Sequence, residues 1–533
     1  MQSRQSLSCL ACREAKLKCD RAFPQCGRCA KSGKDCVFPH SRQNRVGRQK
    51  HLNEIEARLA DLEGQCIELR QPAALASGAE QTQPPDDTQW DQPGPISILD
   101  DPLPPDLIRG LVNTYFDKLG HMAPMIHRVR FIASLSLAPE LQPLLCLQYI
   151  IMALGASLST AHRSLDMPLY EQALSLAKSS ESMVHGTPQA MLAYAQCWIL
   201  FSNFEAQRSM FPKASMSLSH SIRICQMMRL HEMDEQDEES SQSTLDDIID
   251  AESRRRTWWM VFISDRLVGA VTGLPLLIHA QDISTLLPSS EEAFLQGLKE
   301  PTTTLHSVLR QTDRELSILG TRVTTAHLVH KVFTHTSKVS RSRSPENHQS
   351  LSVQDEESYW TSHDELDGDL SLLLIRLPKA ATFPDCARDQ NAISINIQIH
   401  GAIMALHRAA IWSMCFTGQQ PDHNQLNEQQ QIYLRRCQER TFFAAGEVVH
   451  ILRMTNDPVA TLKNPILNFA IYLACLVFIE RYLYNKCQRS QAMACYVVEL
   501  LITMGKDSSV ARSLAAQASK EMSIVGMSKF NGD

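Results

Sequence analysis

Residues 9–36 read CLACREAKLKCDRAFPQCGRCAKSGKDC, and they hold six of the chain's 16 cysteines. The spacing is Cys9-x2-Cys12-x6-Cys19-x6-Cys26-x2-Cys29-x6-Cys36, so C-x2-C-x6-C occurs twice, joined by DRAFPQ. A disulfide framework and a metal site both produce such density. The opening MQSRQSLSCL has no apolar stretch long enough for a secretory signal. That predicts a cytosolic or nuclear compartment, where thiols stay reduced and a regular cysteine pattern binds metal. A structural zinc takes four ligands, so six thiolates are too many for one ion and too few for two separate ones. If two cysteines each bridge both ions, the six sulfurs complete two tetrahedra. Every coordination position is then filled by sulfur, and none is left for a reacting water.

Charge follows the same stretch. The 533-residue chain carries a net −6, yet residues 1–50 hold 12 Lys+Arg against 3 Asp+Glu, or +9, while the remainder carries −15. A local basic block on an acidic chain is what a polyanion-binding arm looks like. Each half of the repeat places its basic residues after its CxxC pair: Arg13, Lys16 and Lys18, then Arg28, Lys31 and Lys34. REAKLK, between Cys12 and Cys19, is good helix-forming sequence.

At every cysteine, and at Pro24, residues 9–36 resemble the Zn2Cys6 binuclear zinc cluster of fungal transcription factors. The resemblance implies two structural Zn2+ ions. Cys9 and Cys26 would bridge them, Cys12 and Cys19 would complete one shell, and Cys29 and Cys36 the other. It also implies that the first half's helix enters the major groove of double-stranded DNA and reads a CGG-type triplet. Lys16 would make the base contacts, as a donor suited to the O6 and N7 acceptors of guanine. Arg13 and Lys18 match positions that hold phosphates and fix register. Glu14 and Ala15 stand where many members carry further basic residues.

Beyond Cys36, the basic linker 37–51 contains Arg42, Arg45 and Arg48, which suit phosphate tracking or nuclear import; a merely solvated linker is the competing reading. Leu52, Ile55, Leu59, Leu62, Cys66 and Leu69 then alternate by three and four, with Arg58 and Glu63 at g and the following e. The seam is under three heptads and contains Gly64, so periodicity alone does not secure a coiled coil. In this place, 52–70 resembles the family's short dimerisation helix. A homodimer presenting two clusters to two half-sites is expected, with monomer and heterodimer as alternatives. Residues 71–105, rich in Pro, Gln and Asp, read as a flexible tether after the 1–8 tail, the 9–36 cluster and the elements just described.

From 106 to 528 the pattern is all-α. LIRGLVNTYFDKLGHMAPMIHRVRFI, LQPLLCLQYIIMALGASL and PQAMLAYAQCWILFSNF each repeat apolar residues at three and four. The run ILNFAIYLACLVFIE at 466–480 is too short for a membrane span and reads as a buried helix. YFDKLGHMAPMIHRVRF at 115–131, ICQMMRLH at 224–231 and RRRTWWMVFISDRLVGAVTGLPLLI at 254–278 resemble the fungal-specific regulatory domain, or middle homology region. Trp258 and Trp259 lie on a helix beginning near the arginines, and at least one packs in the core. Arg254, Arg255 and Arg256 are expected to pair with the acidic stretch at 234–250 or to be solvated. That stretch reads as a flexible insertion, with recruitment of a partner as the alternative, and the polar segment 337–358 as a loop. Outside the cluster the cysteines read as buried small apolar residues.

No GxSxG, GxxxxGK[ST] or HExxH motif occurs, and the 19 histidines show no ligand spacing, so an enzyme is not expected. The resulting expectation is a nuclear, sequence-specific transcription factor of the RNA polymerase II type. It would activate a specific pathway, such as a metabolic or secondary-metabolite gene cluster, with coregulators or a small-molecule inducer acting on the body. A repressor and a zinc-stabilised interaction scaffold remain the alternatives.

Overall fold

The structure, a computed structural model, describes residues 8–9, 11–12, 15, 17–22, 24–33 and 36–37 near the N-terminus. Beyond these it describes residues 103–138, 142–180, 187–234, 244–308, 310, 315–342, 353–415, 427–458, 465–506 and 508–527. The chain divides into two units, Met1–Asp91 and Gln92–Asp533. In the first, residues 11 and 12 are helical, and the Ala15 and Leu17 amides donate to the carbonyls of Ala11 (3.2 Å) and Cys12 (2.9 Å). This is a helical turn after the first CxxC. The second CxxC opens α1, Gly27–Ser32, which ends at Gly33 in the left-handed region.

Helices build the second unit, and no strand occurs among the described residues. The first seven are α2 (Pro105–Lys118), α3 (Arg128–Ser134), α4 (Leu145–Ser157), α5 (Asp166–Ser180), α6 (Pro188–Gln207), α7 (Phe211–Met227) and α8 (Leu245–Thr272). They are followed by α9 (Glu291–Gln296), α10 (Leu305–Val308), α11 (Ile318–Ser342), α12 (Val353–Ile375) and α13 (Gln390–Cys415). Last come α14 (Glu428–Met454), α15 (Pro465–Asn485), α16 (Gln488–Met504) and α17 (Ser509–Ile524). The three apolar-periodic segments form α2 with α3, α4 and α6, as their spacing predicts. One hydrophobic core runs from Leu111 to Met527. At its centre lies α13, which packs on α11, α12, α14 and α15. Ile393, Ile395, Ile397 and Ile399 are all fully buried, as a helix apolar on every side requires.

The approach of α2 to α4 is set by a single missing side chain. A Cβ at Gly155 would lie 2.1 Å from the Leu111 carbonyl oxygen, a backbone atom that no rotamer change can move. Gly155→Ala is therefore expected to force the helices apart and destabilise the body by about 1–3 kcal/mol or more. Urea unfolding followed by far-UV circular dichroism checks this, with Gly110→Ala, whose Cβ meets nothing within 4 Å, as the control.

Five expectations change. The long helix α8 begins not at the arginines but at Leu245, ahead of them. Thr244 and Asp247 form a capping box, with the Thr244 hydroxyl oxygen accepting from the Asp247 amide and the Asp247 carboxylate accepting from the Thr244 amide. The end of the supposed acidic insertion is thus helix, its carboxylates placed at the positive N-terminal end; residues 235–243 lie outside the described residues. The segment 337–358 is likewise helical at both ends, through α11 and α12. Arg255 pairs with the acidic stretch as expected, with Asp234 at 2.5 Å, and also with Glu252, while Arg254 donates to the backbone carbonyl of Asp250 on its own helix. Arg256 instead is fully buried. It bonds Glu252 at 2.9 Å, Glu291, and the carbonyls of Pro124, Ser289 and Ser290, and it lies 4.1 Å above the Phe294 ring. Finally, the apolar run at 466–480 belongs to α15, whose stretch Leu467–Asn485 is long and apolar enough to cross a membrane, contrary to the length argument. Leu467, Ile471, Ala474, Cys475 and Phe478 are nevertheless buried in the core.

Trp258 and Trp259 are both buried, and the Trp259 indole donates to the Leu286 carbonyl at 2.7 Å. After Gly273 the chain turns back, and the Leu277 and Ile278 amides donate to Asp265. RRRTWWMVFISDRLVGAVTGLPLLI is therefore one folded unit, a core helix and the return loop that its own aspartate holds.

Candidate metal centre and nucleic-acid interface

Two CxxC pairs face each other in the first unit. Cys9, Cys12, Cys26 and Cys29 are buried, and Cys19 and Cys36 are half-buried beside them. The sulfurs of Cys9 and Cys26 are 3.7 Å apart, as are those of Cys9 and Cys29 and of Cys12 and Cys26. Cys12 and Cys29 are separated by 4.0 Å, and Cys19 and Cys9 by 3.9 Å. A disulfide needs about 2.05 Å, and all these cysteines are free. Zn–S bonds of about 2.3 Å give a tetrahedral S···S edge of about 3.8 Å, so the spacing fits thiolates around zinc. Cys12 and Cys29 reach across both pairs, and Cys9 meets sulfurs from both halves.

Backbone amides tune the sulfurs. Cys26 is the N-cap of α1, and its sulfur accepts from the Cys29 amide at 3.4 Å. That bond lowers Cys26 to about 6, against burial. Burial opposes ionisation of Cys9, but the Cys12 amide and neighbouring thiols outweigh it and lower its pKa. Cys12 is pushed up to about 12 by burial and by its thiol contacts with Cys9 and Cys26. Cys29 rises through its hydrogen bond with Cys26, and Cys36 through burial. The Cys26 amide donates to Cys36 at 3.2 Å, which ties the end of the second repeat to its start.

The joint between the repeats depends on a residue the sequence reading did not single out. Asp20 accepts from the Gly27 amide at 3.0 and 3.2 Å and from the Ala22 amide at 3.4 Å. A Cβ at Gly27 would lie 2.7 Å from that carboxylate, so glycine there permits the close approach. An aspartate directly after the third cysteine, facing a glycine directly after the fourth, was the available signal.

Of the expected DNA contacts, Lys18 is described and exposed; the basic residues Arg28 and Lys31 of the second repeat are exposed too. Arg13, Lys16, Arg42, Arg45 and Arg48 lie outside the described residues, as do Leu52, Ile55, Leu59, Leu62 and Leu69 of the proposed seam.

Two family models match the chain. The one described as "Fungal Zn(2)-Cys(6) binuclear cluster domain" covers residues 7–45, and "Fungal specific transcription factor domain" covers residues 112–367. Among curated proteins, the chain is 26% identical over 351 residues to "Abscisic acid cluster transcription factor abl7" of Leptosphaeria maculans, a match covering 55% of this chain and 57% of that protein. It is 29% identical over 331 residues to "Pigment biosynthesis transcriptional activator pigB" of Monascus ruber, covering 56% and 58%. Against "Citrinin biosynthesis transcriptional activator mrl3", also of Monascus ruber, identity is 24% over 336 residues, covering 56% and 66%. The chain thus spans about three fifths of the length of the curated relatives it matches.

Proposed function

We propose, for a chain that belongs to the fungal Zn(2)-Cys(6) zinc-cluster proteins and carries two structural Zn2+ ions and a fungal specific transcription factor domain, the role of a nuclear, sequence-specific transcription factor that activates one biosynthetic pathway. The observation that carries the reading is the tetrahedral spacing of the cysteine sulfurs inside the matched cluster domain. Membership implies DNA binding. Relatives whose names state activation of pigment and citrinin biosynthesis support the pathway-specific activator.

In this reading Cys9 and Cys26 bridge the two ions, Cys12 and Cys19 complete one shell, and Cys29 and Cys36 the other. Contacts of Cys9 with Cys26, Cys19 and Cys29 support its shared place. The zinc supplies no reaction; it holds the two repeats so that Lys16 reads a CGG-type triplet in the major groove while Arg13 and Lys18 hold phosphates. Arg42, Arg45 and Arg48 extend the phosphate track, and Leu52, Ile55, Leu59, Leu62 and Leu69 pair two copies. The helical body, 106–528, is the regulatory part on which coregulators or a small inducer act.

Binding of the full-length protein to duplexes with and without CGG half-sites, over a range of salt, tests this. Affinity for the matched duplex is expected to fall with a log–log slope of about −0.9 per phosphate neutralised. Lys16→Ala is expected to cost about 1–3 kcal/mol on the matched duplex and little on a scrambled one. Equal losses on both would refute base reading by Lys16, and binding insensitive to salt would point to a protein-interaction scaffold instead.

A further inference from the structure

We propose that the helical body holds a metal ion of its own, a zinc bound by His363 of α12, His407 of α13 and Cys437 of α14. One ligand atom from each of the three side chains lies within 4.8 Å of the other two. All three residues are buried, His363 and Cys437 completely. Both ring nitrogens of His363 lack a hydrogen-bond partner, and so does Nδ1 of His407. A core histidine ordinarily pairs its ring nitrogens, because a desolvated polar atom left unpaired is destabilising. Here two imidazoles with unpaired nitrogens cluster with a buried thiol, a donor set a cation would use.

The support around His407 has the form that metal-binding histidines require. Its Nε2 lies 3.1 Å from the Asp367 carboxylate, which leaves Nδ1 as the free lone pair when Nε2 carries the proton. Asp367 is in turn held by Arg440 and, at 3.2 Å, by Arg436. His363 lies edge-on to His407 with ring centroids 5.2 Å apart, and Trp360 and Tyr433 pack against it. The Tyr433 hydroxyl is engaged elsewhere, donating to Asp364 at 2.8 Å. Cys437 sits with Ala410, Met414 and Leu434 in an apolar cluster separate from the main core. Two imidazoles and a thiolate form a borderline-soft set that suits zinc, and they leave one tetrahedral position for water or an exogenous ligand. An ion there would cross-link three helices.

Zinc content per chain decides the matter. Full-length protein, given zinc and desalted, is expected to retain three ions. A full-length variant with Cys9, Cys12, Cys19, Cys26, Cys29 and Cys36 all replaced by serine is expected to retain one. Adding His363→Ala or Cys437→Ala to that variant should bring the content to zero, whereas Cys475→Ala, a buried cysteine outside the site, should leave it at one. Cobalt in place of zinc gives a second readout, a cobalt–thiolate absorption in the six-serine variant that disappears with Cys437→Ala while the helical circular dichroism persists. No zinc in the six-serine variant, or an ion there that survives both site substitutions, would each overturn the proposal. Because the six-serine variant is read by metal content and not by DNA binding, its outcome is independent of the reading of the N-terminal cluster.

Discussion

Replacement of Cys9 by alanine is expected to lower the zinc content of the full-length protein by two ions and to abolish binding to a CGG-containing duplex. A terminal ligand belongs to one tetrahedron, and its loss leaves the other complete; a bridge belongs to both. Cys9 stands within 3.9 Å of sulfurs from both halves of the repeat, so removing it opens each shell. The expected effect is large because the binding free energy of a structural zinc, about 10–16 kcal/mol in isolated finger peptides, is also folding free energy. The buried residues of the described part of this unit are the cysteines themselves, so the metal takes the place of a hydrophobic core. Cys36→Ala is the comparison, with an expected loss of one ion. Equal losses in the two variants would refute the bridging assignment.

Replacement of Arg256 by leucine is expected to destabilise the helical body by about 3–5 kcal/mol, the usual result of removing one partner from a buried ion pair. Glu252, itself 4% exposed, would keep only Arg255 and the Ser289 amide as partners. The carbonyls of Pro124, Ser289 and Ser290 would each lose a donor, and Phe294 its stacked cation. Arg256 thus ties α8 to the loop before α3 and to the start of α9. The midpoint of urea unfolding, followed by far-UV circular dichroism, measures the change. Arg254→Leu provides the contrast: Arg254 is only half-buried and bonds the Asp250 carbonyl of its own helix, so a loss near 0.5 kcal/mol is expected. A loss below about 1 kcal/mol at Arg256 would mean that its network is replaceable by water.

Legibility in the sequence followed distance along the chain. All six cysteines fall within residues 9–36, and their spacing alone indicates a repeat, a metal and a ligand count. Apolar residues at three and four made α2, α4 and α6 visible, because helix periodicity is a local property. Thr244 and Asp247 carried a readable capping signal too, but it was hidden inside an acidic run that composition marks as solvent-exposed. Asp20 was faint as a strut because its partner is a backbone amide, which carries no sequence identity; its trace in the sequence is the glycine after Cys26 that permits the approach. In the arginine triplet, Arg254, Arg255 and Arg256 are the same residue three times, and only their angular positions on α8 separate a half-exposed side chain from one sealed in the core.

The sequence by itself determined the zinc cluster and the all-helical character of the body, since each depends on residues a few positions apart, and short loops close at small entropic cost. The tertiary structure alone decided which charged and polar side chains are buried and what they meet. Arg256 finds Glu291, and His363 finds His407 and Cys437, across stretches of chain with no common period. Helices brought together by apolar burial carry their polar residues with them, and only the packed arrangement shows whether those residues meet a partner, water or one another.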